Sequence, residues 1–142
     1  MITIKYVSEQ YPFAKATPGA AGYDLYTTAD KAILPGKFTM VPTGVRVSMP
    51  PGVCAKIVGR SGLAKNNGFV VGGGLIDSDY RGEIHVLLST IEGDTADTKK
   101  VKAGERVAQL IFIQLSGCDV EKAETLDETS RGEGGFGSTG SS

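Results

Sequence analysis

The feature that most limits the fold is the rhythm of turn signals. Short β-branched runs (Ile2–Tyr6, Phe38–Pro42, Val45–Ser48, Val53–Val58, Phe69–Val71, Glu83–Ser89, Arg106–Ile113 and Cys118–Glu121) alternate with turn-forming segments. The clearest of these are Leu34-Pro35-Gly36-Lys37, Met49-Pro50-Pro51-Gly52 and Glu92-Gly93-Asp94. Runs this short and this closely punctuated predict an all-β barrel or sandwich without a long helix. Within Glu83–Ser89, Ile84, Val86 and Leu88 alternate with Glu83, His85 and Leu87, so one face should be buried and the other should carry His85. His85 therefore reads as a strand residue rather than a catalyst.

Composition removes several kinds of function. Fifteen Lys and Arg stand against sixteen Asp and Glu without a long basic run, which argues against direct nucleic-acid capture. One histidine and two distant cysteines, Cys54 and Cys118, cannot supply a four-ligand zinc site, and any metal should sit on oxygen ligands. Met1-Ile2-Thr3-Ile4-Lys5 leads straight into a strand-like run, so reduced thiols in a cytoplasmic setting are expected, or in the nucleus for a eukaryotic or viral source. No apolar run approaches the ~18 residues of a membrane span. Glycine is in excess, 20 of 142 residues, about double the usual ~7%.

Four glycine-containing segments look shaped for a ligand. Pro18-Gly19-Ala20-Ala21-Gly22-Tyr23-Asp24 ends on a carboxylate that could equally be a turn residue accepting backbone hydrogen bonds. Gly59-Arg60-Ser61-Gly62 gathers a guanidinium, a hydroxyl and amides at a strand end, a set suited to phosphate. Gly72-Gly73-Gly74 leaves backbone bare where the edge of a planar base could be read, or forms a glycine bulge in a hairpin. Beyond it, Asp77 and Asp79 share a face if the strand stays extended, and a carboxylate there could act as a base or accept from a metal's water. Gln109 is the polar exception in an apolar strand and must find a partner in protein or ligand.

From Ala123 onward the chain turns polar and acidic, then runs Arg131-Gly132-Glu133-Gly134-Gly135-Phe136-Gly137-Ser138-Thr139-Gly140. Composition alone fits a frayed tail. The same residues fit a lid, with a guanidinium for phosphate, a ring to stack and glycine backbone to wrap. We therefore divide the chain into a β domain over 1–122 and an arm over 123–142.

Five segments in this order, Ala21-Gly22-Tyr23-Asp24-Leu25, Arg60-Ser61-Gly62-Leu63-Ala64, Gly74-Leu75-Ile76-Asp77-Ser78-Asp79-Tyr80-Arg81-Gly82-Glu83, Gly104-Glu105-Arg106-Val107-Ala108-Gln109-Leu110 and Arg131 to Gly140, resemble the five motifs of the trimeric dUTPase family. The resemblance implies a jelly-roll-like β homotrimer that hydrolyses dUTP to dUMP and pyrophosphate, with each C-terminal arm closing over a neighbour's site. It makes Asp77 the base for the attacking water. It gives Arg60, Ser61, Gly62 and Gln109 to the phosphates. Gly72, Gly73, Gly74 and Ile76 fall to the uracil, with His85 engaged through main chain. Tyr80 is implied to press on the deoxyribose, and Arg131, Phe136, Gly137, Ser138 and Thr139 to complete the lid. Mg²⁺ would arrive with the triphosphate, and Asp24 would hold one of its waters. Gly59 departs from the proline usual before Arg-Ser-Gly in the family and should loosen that loop. A deaminase of dCTP with the same fold, and a dUTP-gated regulatory binding protein, are the competing readings.

Overall fold

The computed structural model of the protein describes residues 1–93 and 98–137. Eleven strands and one short helix are formed among them: β1 (Lys5–Ser8), β2 (Tyr23–Tyr26), β3 (Lys31–Ile33), β4 (Thr39–Pro42), β5 (Val45–Ser48), β6 (Val53–Val58), α1 (Ser61–Asn67), β7 (Phe69–Gly72), β8 (Leu75–Ile76), β9 (His85–Thr90), β10 (Lys99–Val101) and β11 (Arg106–Gln114). The strands pair antiparallel into a four-stranded sheet ordered β2-β11-β6-β8, a three-stranded sheet β4-β9-β7, and two ribbons, β1-β5 and β3-β10. The sheets do not close into a barrel; they pack as a jelly-roll-like β fold. Among the described residues no helix is long and apolar enough to cross a membrane.

Alternation decides what is buried. In β6, Val53, Ala55 and Ile57 turn inward; in β9, Val86 and Leu88 do so with Ile84 just ahead of them, as the sequence pattern predicts. They meet Leu25, Ile33, Val41, Val45, Val101 and Leu110 in one core drawn from every sheet. Each of these Val, Leu and Ile side chains contributes roughly 1.5–3 kcal/mol by leaving water. The buried hydroxyls are satisfied: Thr43 Oγ1 donates to the Ile84 carbonyl at 2.6 Å and Thr90 Oγ1 to that of Asn67 at 2.8 Å.

Three expectations need correction. The first strand runs over Lys5–Ser8 rather than Ile2–Tyr6, because its register is set by pairing with Ser48 back to Val45. Cys118–Glu121 is not a strand, since it lies fully exposed with no strand alongside it among the described residues. The glycine run is not a hairpin: β7 pairs with β9 and β8 with β6, so Gly73-Gly74 carries the chain from one sheet to the other.

Candidate functional site

The crossing at Gly73-Gly74 builds the first cluster. Gly74 has φ +102°, and its carbonyl accepts from the Ile57 amide at 2.8 Å. A Cβ there would lie 2.9 Å from the Ile57 carbonyl oxygen, so only glycine lets the backbones approach. β8 is short, pairing Leu75 with Lys56 and Ile76 with Ala55, and the chain then turns, with the Tyr80 amide donating to the Asp77 carbonyl at 3.2 Å. This turn corrects the extended arrangement expected for Asp77 and Asp79, which do not share a strand face. Asp77 presents an exposed carboxylate at the end of β8. It lines a cavity of about 300 Å³ together with Met40, Ile76, Tyr80, His85 and Leu87. Gly72 stands opposite Leu87 in the ladder and so borders the same wall. His85 lies at the start of β9, its Nδ1 3.3 Å from the Glu83 carbonyl.

The second cluster forms where β2, β11 and β6 lie side by side. Gln109 is opposite Asp24 on one flank and Val58 on the other. Leu25 and Leu110 are buried, so Asp24 and Gln109 turn to the outer face. The Gln109 amide donates to the Gly59 carbonyl at 3.4 Å, which gives this polar residue its protein partner. Gly22 makes room for it, since a Cβ there would lie 2.7 Å from Gln109 Oε1. Arg60 is the N-cap residue of α1, and its Nη1 donates to the Arg106 carbonyl at 3.3 Å. Ser61 and Gly62 form the first turn of α1, whose opening amides have no carbonyl partner within the helix. The helix ends on Gly68 in the left-handed conformation.

Arg106 was not singled out from the sequence. Its Nη1 lies 3.5 Å from Asp24 Oδ2, and the Asp24 side chain is only 14% exposed. A β-bulge between Arg106 and Ala108 breaks the alternation, burying Val107 and Ala108 in succession and turning Arg106 outward beside Asp24. The two adjacent apolar residues were the available signal. Asp24 thus faces a guanidinium rather than capping a turn.

The clusters are separate within one protomer. They sit on opposite flanks of β6: Gln109 on β11 lies level with Val58, whereas β8 ends with Ile76 level with Ala55, three positions or roughly 10 Å away along the strand. Arg131 and Phe136 belong to neither cluster: the Arg131 guanidinium donates to the Gly134 carbonyl, while the Phe136 ring is exposed, with φ +50°. Gly137 follows it, exposed, and Ser138 and Thr139 lie outside the described residues. No group of three or more His, Cys, Asp or Glu that could hold a metal occurs among the described residues.

Comparison with known proteins bears on this arrangement. The dUTPase family model matches residues 10–140. The chain belongs to the dUTPase family. The deoxyuridine 5'-triphosphate nucleotidohydrolase of Mus musculus is 44% identical over 121 residues, covering 85% of this chain and 73% of that one. Among solved structures, the dUTPase of Staphylococcus bacteriophage 80alpha with dUPNHPP superposes with TM-score 0.87 at 22% identity, covering 97% of this chain and 98% of the other. A mutant dUTPase from phage phi11 of S. aureus, described with a structural Mg(II) ion, gives TM-score 0.75 at 21% identity, covering 87% and 97%. Both dUTPase structures share the jelly-roll-like architecture seen here.

Proposed function

We propose that this chain hydrolyses dUTP to dUMP and pyrophosphate as a homotrimer, each active site joining the Asp77 cluster of one protomer to the Arg60 cluster of a neighbour. The observation that carries the reading is the separation of the two clusters. A base and the phosphate ligands must each come within about 3 Å of one substrate, and a single protomer carries them on opposite flanks of β6, with the end of β8 and Gln109 roughly 10 Å apart along that strand. A symmetric assembly supplies each half from a different copy. The product dUMP serves thymidylate synthesis, and removing dUTP limits uracil in DNA.

Asp77 accepts a proton from the attacking water as its oxygen bonds to the α-phosphorus; the bond from that phosphorus to the bridging oxygen breaks, and pyrophosphate leaves with the electron pair. Backbone at Gly72, Gly73 and Gly74, with Ile76, meets the uracil edge and leaves no space for a thymine methyl. Tyr80 packs on the deoxyribose, and His85 contributes main chain to the cavity wall. Arg60, the first-turn residues Ser61 and Gly62, and the Gln109 amide take the phosphate oxygens. The arm, 123–142, lays Arg131 on the γ-phosphate and Phe136 on the uracil, with Gly137, Ser138 and Thr139 completing the lid.

Magnesium fits this site as an ion brought by the substrate. The described residues offer no carboxylate cage, and Asp24 already faces Arg106, so its role is one hydrogen bond to a water of the ion, consistent with the few protein ligands such ions take. When bound, Mg²⁺ offsets charge on the phosphate oxygens. Both cysteines are free thiols, in keeping with a cytoplasmic setting.

The test is a panel of nucleoside triphosphates with Mg²⁺, scored by pyrophosphate and ammonia release. We expect pyrophosphate from dUTP at least about 100-fold faster than from dTTP, dCTP or UTP. Ammonia from dCTP, or no turnover of dUTP, contradicts the proposal.

A further inference from the structure

We infer that Gly82 and Glu83 are positioning residues for the Tyr80 ring, and that Gly82 in this way sets how strictly the cavity separates deoxyribose from ribose. The inference rests on reading that cavity as the deoxyuridine site. Tyr80 Oη donates to the Glu83 carbonyl at 2.7 Å, so the ring is folded back over the two residues that follow Arg81. A Cβ on Gly82 would lie 2.5 Å from Tyr80 Oη, 2.7 Å from Cζ and 3.0 Å from Cε1. Gly82 is not among the glycines with positive φ, so an alanine meets no backbone penalty there. The three atoms nearest that Cβ all belong to Tyr80, so the closest steric conflict falls on its ring.

The ring's anchor belongs to the rigid body of the fold. The Glu83 carboxylate accepts from the Gly44 amide at 3.0 Å, and the next residue, Ile84, is fully buried with its amide donating to the Val45 carbonyl at 2.8 Å. Tyr80 is thus tied through Glu83 to the turn between β4 and β5. The ring forms one wall of the cavity that Asp77 and His85 also line. A tilt of that wall opens space on the sugar side, where one added hydroxyl must be refused. Discrimination against a small added group depends on close shape fit and is readily lost when a wall moves.

The experiment compares kcat/KM for dUTP and UTP in wild type, Gly82→Ala, Tyr80→Phe and the double variant, with thermal melts confirming folding. Gly82→Ala should lower the dUTP/UTP ratio at least about tenfold, with the change in KM for dUTP exceeding that in kcat. Tyr80→Phe keeps the ring but removes the hydroxyl, and should lower the ratio severalfold. The double variant should fall no further than Gly82→Ala, because both changes act on one ring. Should Gly82→Ala alone not fold, the double variant, which lacks the hydroxyl nearest the new methyl, takes its place: a ratio below that of Tyr80→Phe supports the role of Gly82 and an equal ratio overturns it. A selective wild type whose folded variants all keep the ratio within about twofold overturns the positioning role while leaving the proposed reaction intact. A wild type inactive on dUTP overturns the reading beneath it.

Discussion

The Asp77 cavity lies between the end of β8 and the three-stranded sheet, the Arg60 cluster where β2, β11 and β6 lie side by side, and their side chains are held in different ways. Around the cavity the shortest fixing contacts are uncharged: Tyr80 Oη to the Glu83 carbonyl at 2.7 Å, and the Ile57 amide to the Gly74 carbonyl at 2.8 Å. In the Arg60 cluster the contacts run from 3.3 to 3.5 Å and involve long polar or charged side chains. Such contacts lie beyond the best hydrogen-bond distances and are weakened by salt. On the proposed function, selection of the base and sugar calls for a preformed shape, whereas triphosphate binding is completed by the charge that the ligand brings.

That difference can be broken at either end. The largest effect should come from Asp77→Asn, which removes the proton acceptor without altering the cavity; kcat should fall by about 10³-fold or more, with dUTP affinity by calorimetry nearly unchanged. Turnover within a few-fold of wild type would remove Asp77 from its role. Truncation after Ser130 should follow, lowering kcat/KM by about 100-fold or more while sedimentation still reports a trimer. Arg60→Ala should cost about 100-fold in kcat/KM, leaving the preference for dUTP over dTTP intact, since that preference belongs to the other half. Arg106→Ala frees Asp24 while keeping the backbone carbonyl that accepts from Arg60, and should cost about three- to tenfold, with the loss shrinking as ionic strength rises.

The sequence made the cavity half more legible than the phosphate half. Alternation at Ile84, Val86 and Leu88 placed β9 and its buried face, and with it the side on which His85 lies. The Gly72–Gly74 run marked close backbone approach, although it joins two sheets, because strand partners are chosen by tertiary packing rather than by the intervening turn. The α1 segment escaped notice: seven residues without a side-chain cap carry almost no periodic signal. Arg106 escaped notice because a bulge, invisible to strict alternation, aims it at Asp24. Cys118–Glu121 looked like a strand by composition, but a strand also requires a partner.

The exposed arm extends the same contrast. In the arm, Leu126 is 87% exposed and Phe136 fully so, while the core aliphatic residues of the body, among them Leu25, Ile33 and Leu110, are fully buried. Apolar side chains left bare over such a length have no place to pack within their own protomer, which is how a segment meant for a neighbour would look.

The central claim, that a complete site needs two protomers, is tested most directly by complementation. Asp77→Asn and Arg60→Ala chains, each nearly inactive as a homotrimer, are mixed in equal amounts under denaturing conditions, refolded together and assayed on dUTP. Random assembly should restore about a quarter of wild-type activity, because one site in four then joins an intact Asp77 half to an intact Arg60 half. Activity no higher than the mean of the two parents would place both halves in a single protomer and contradict the account.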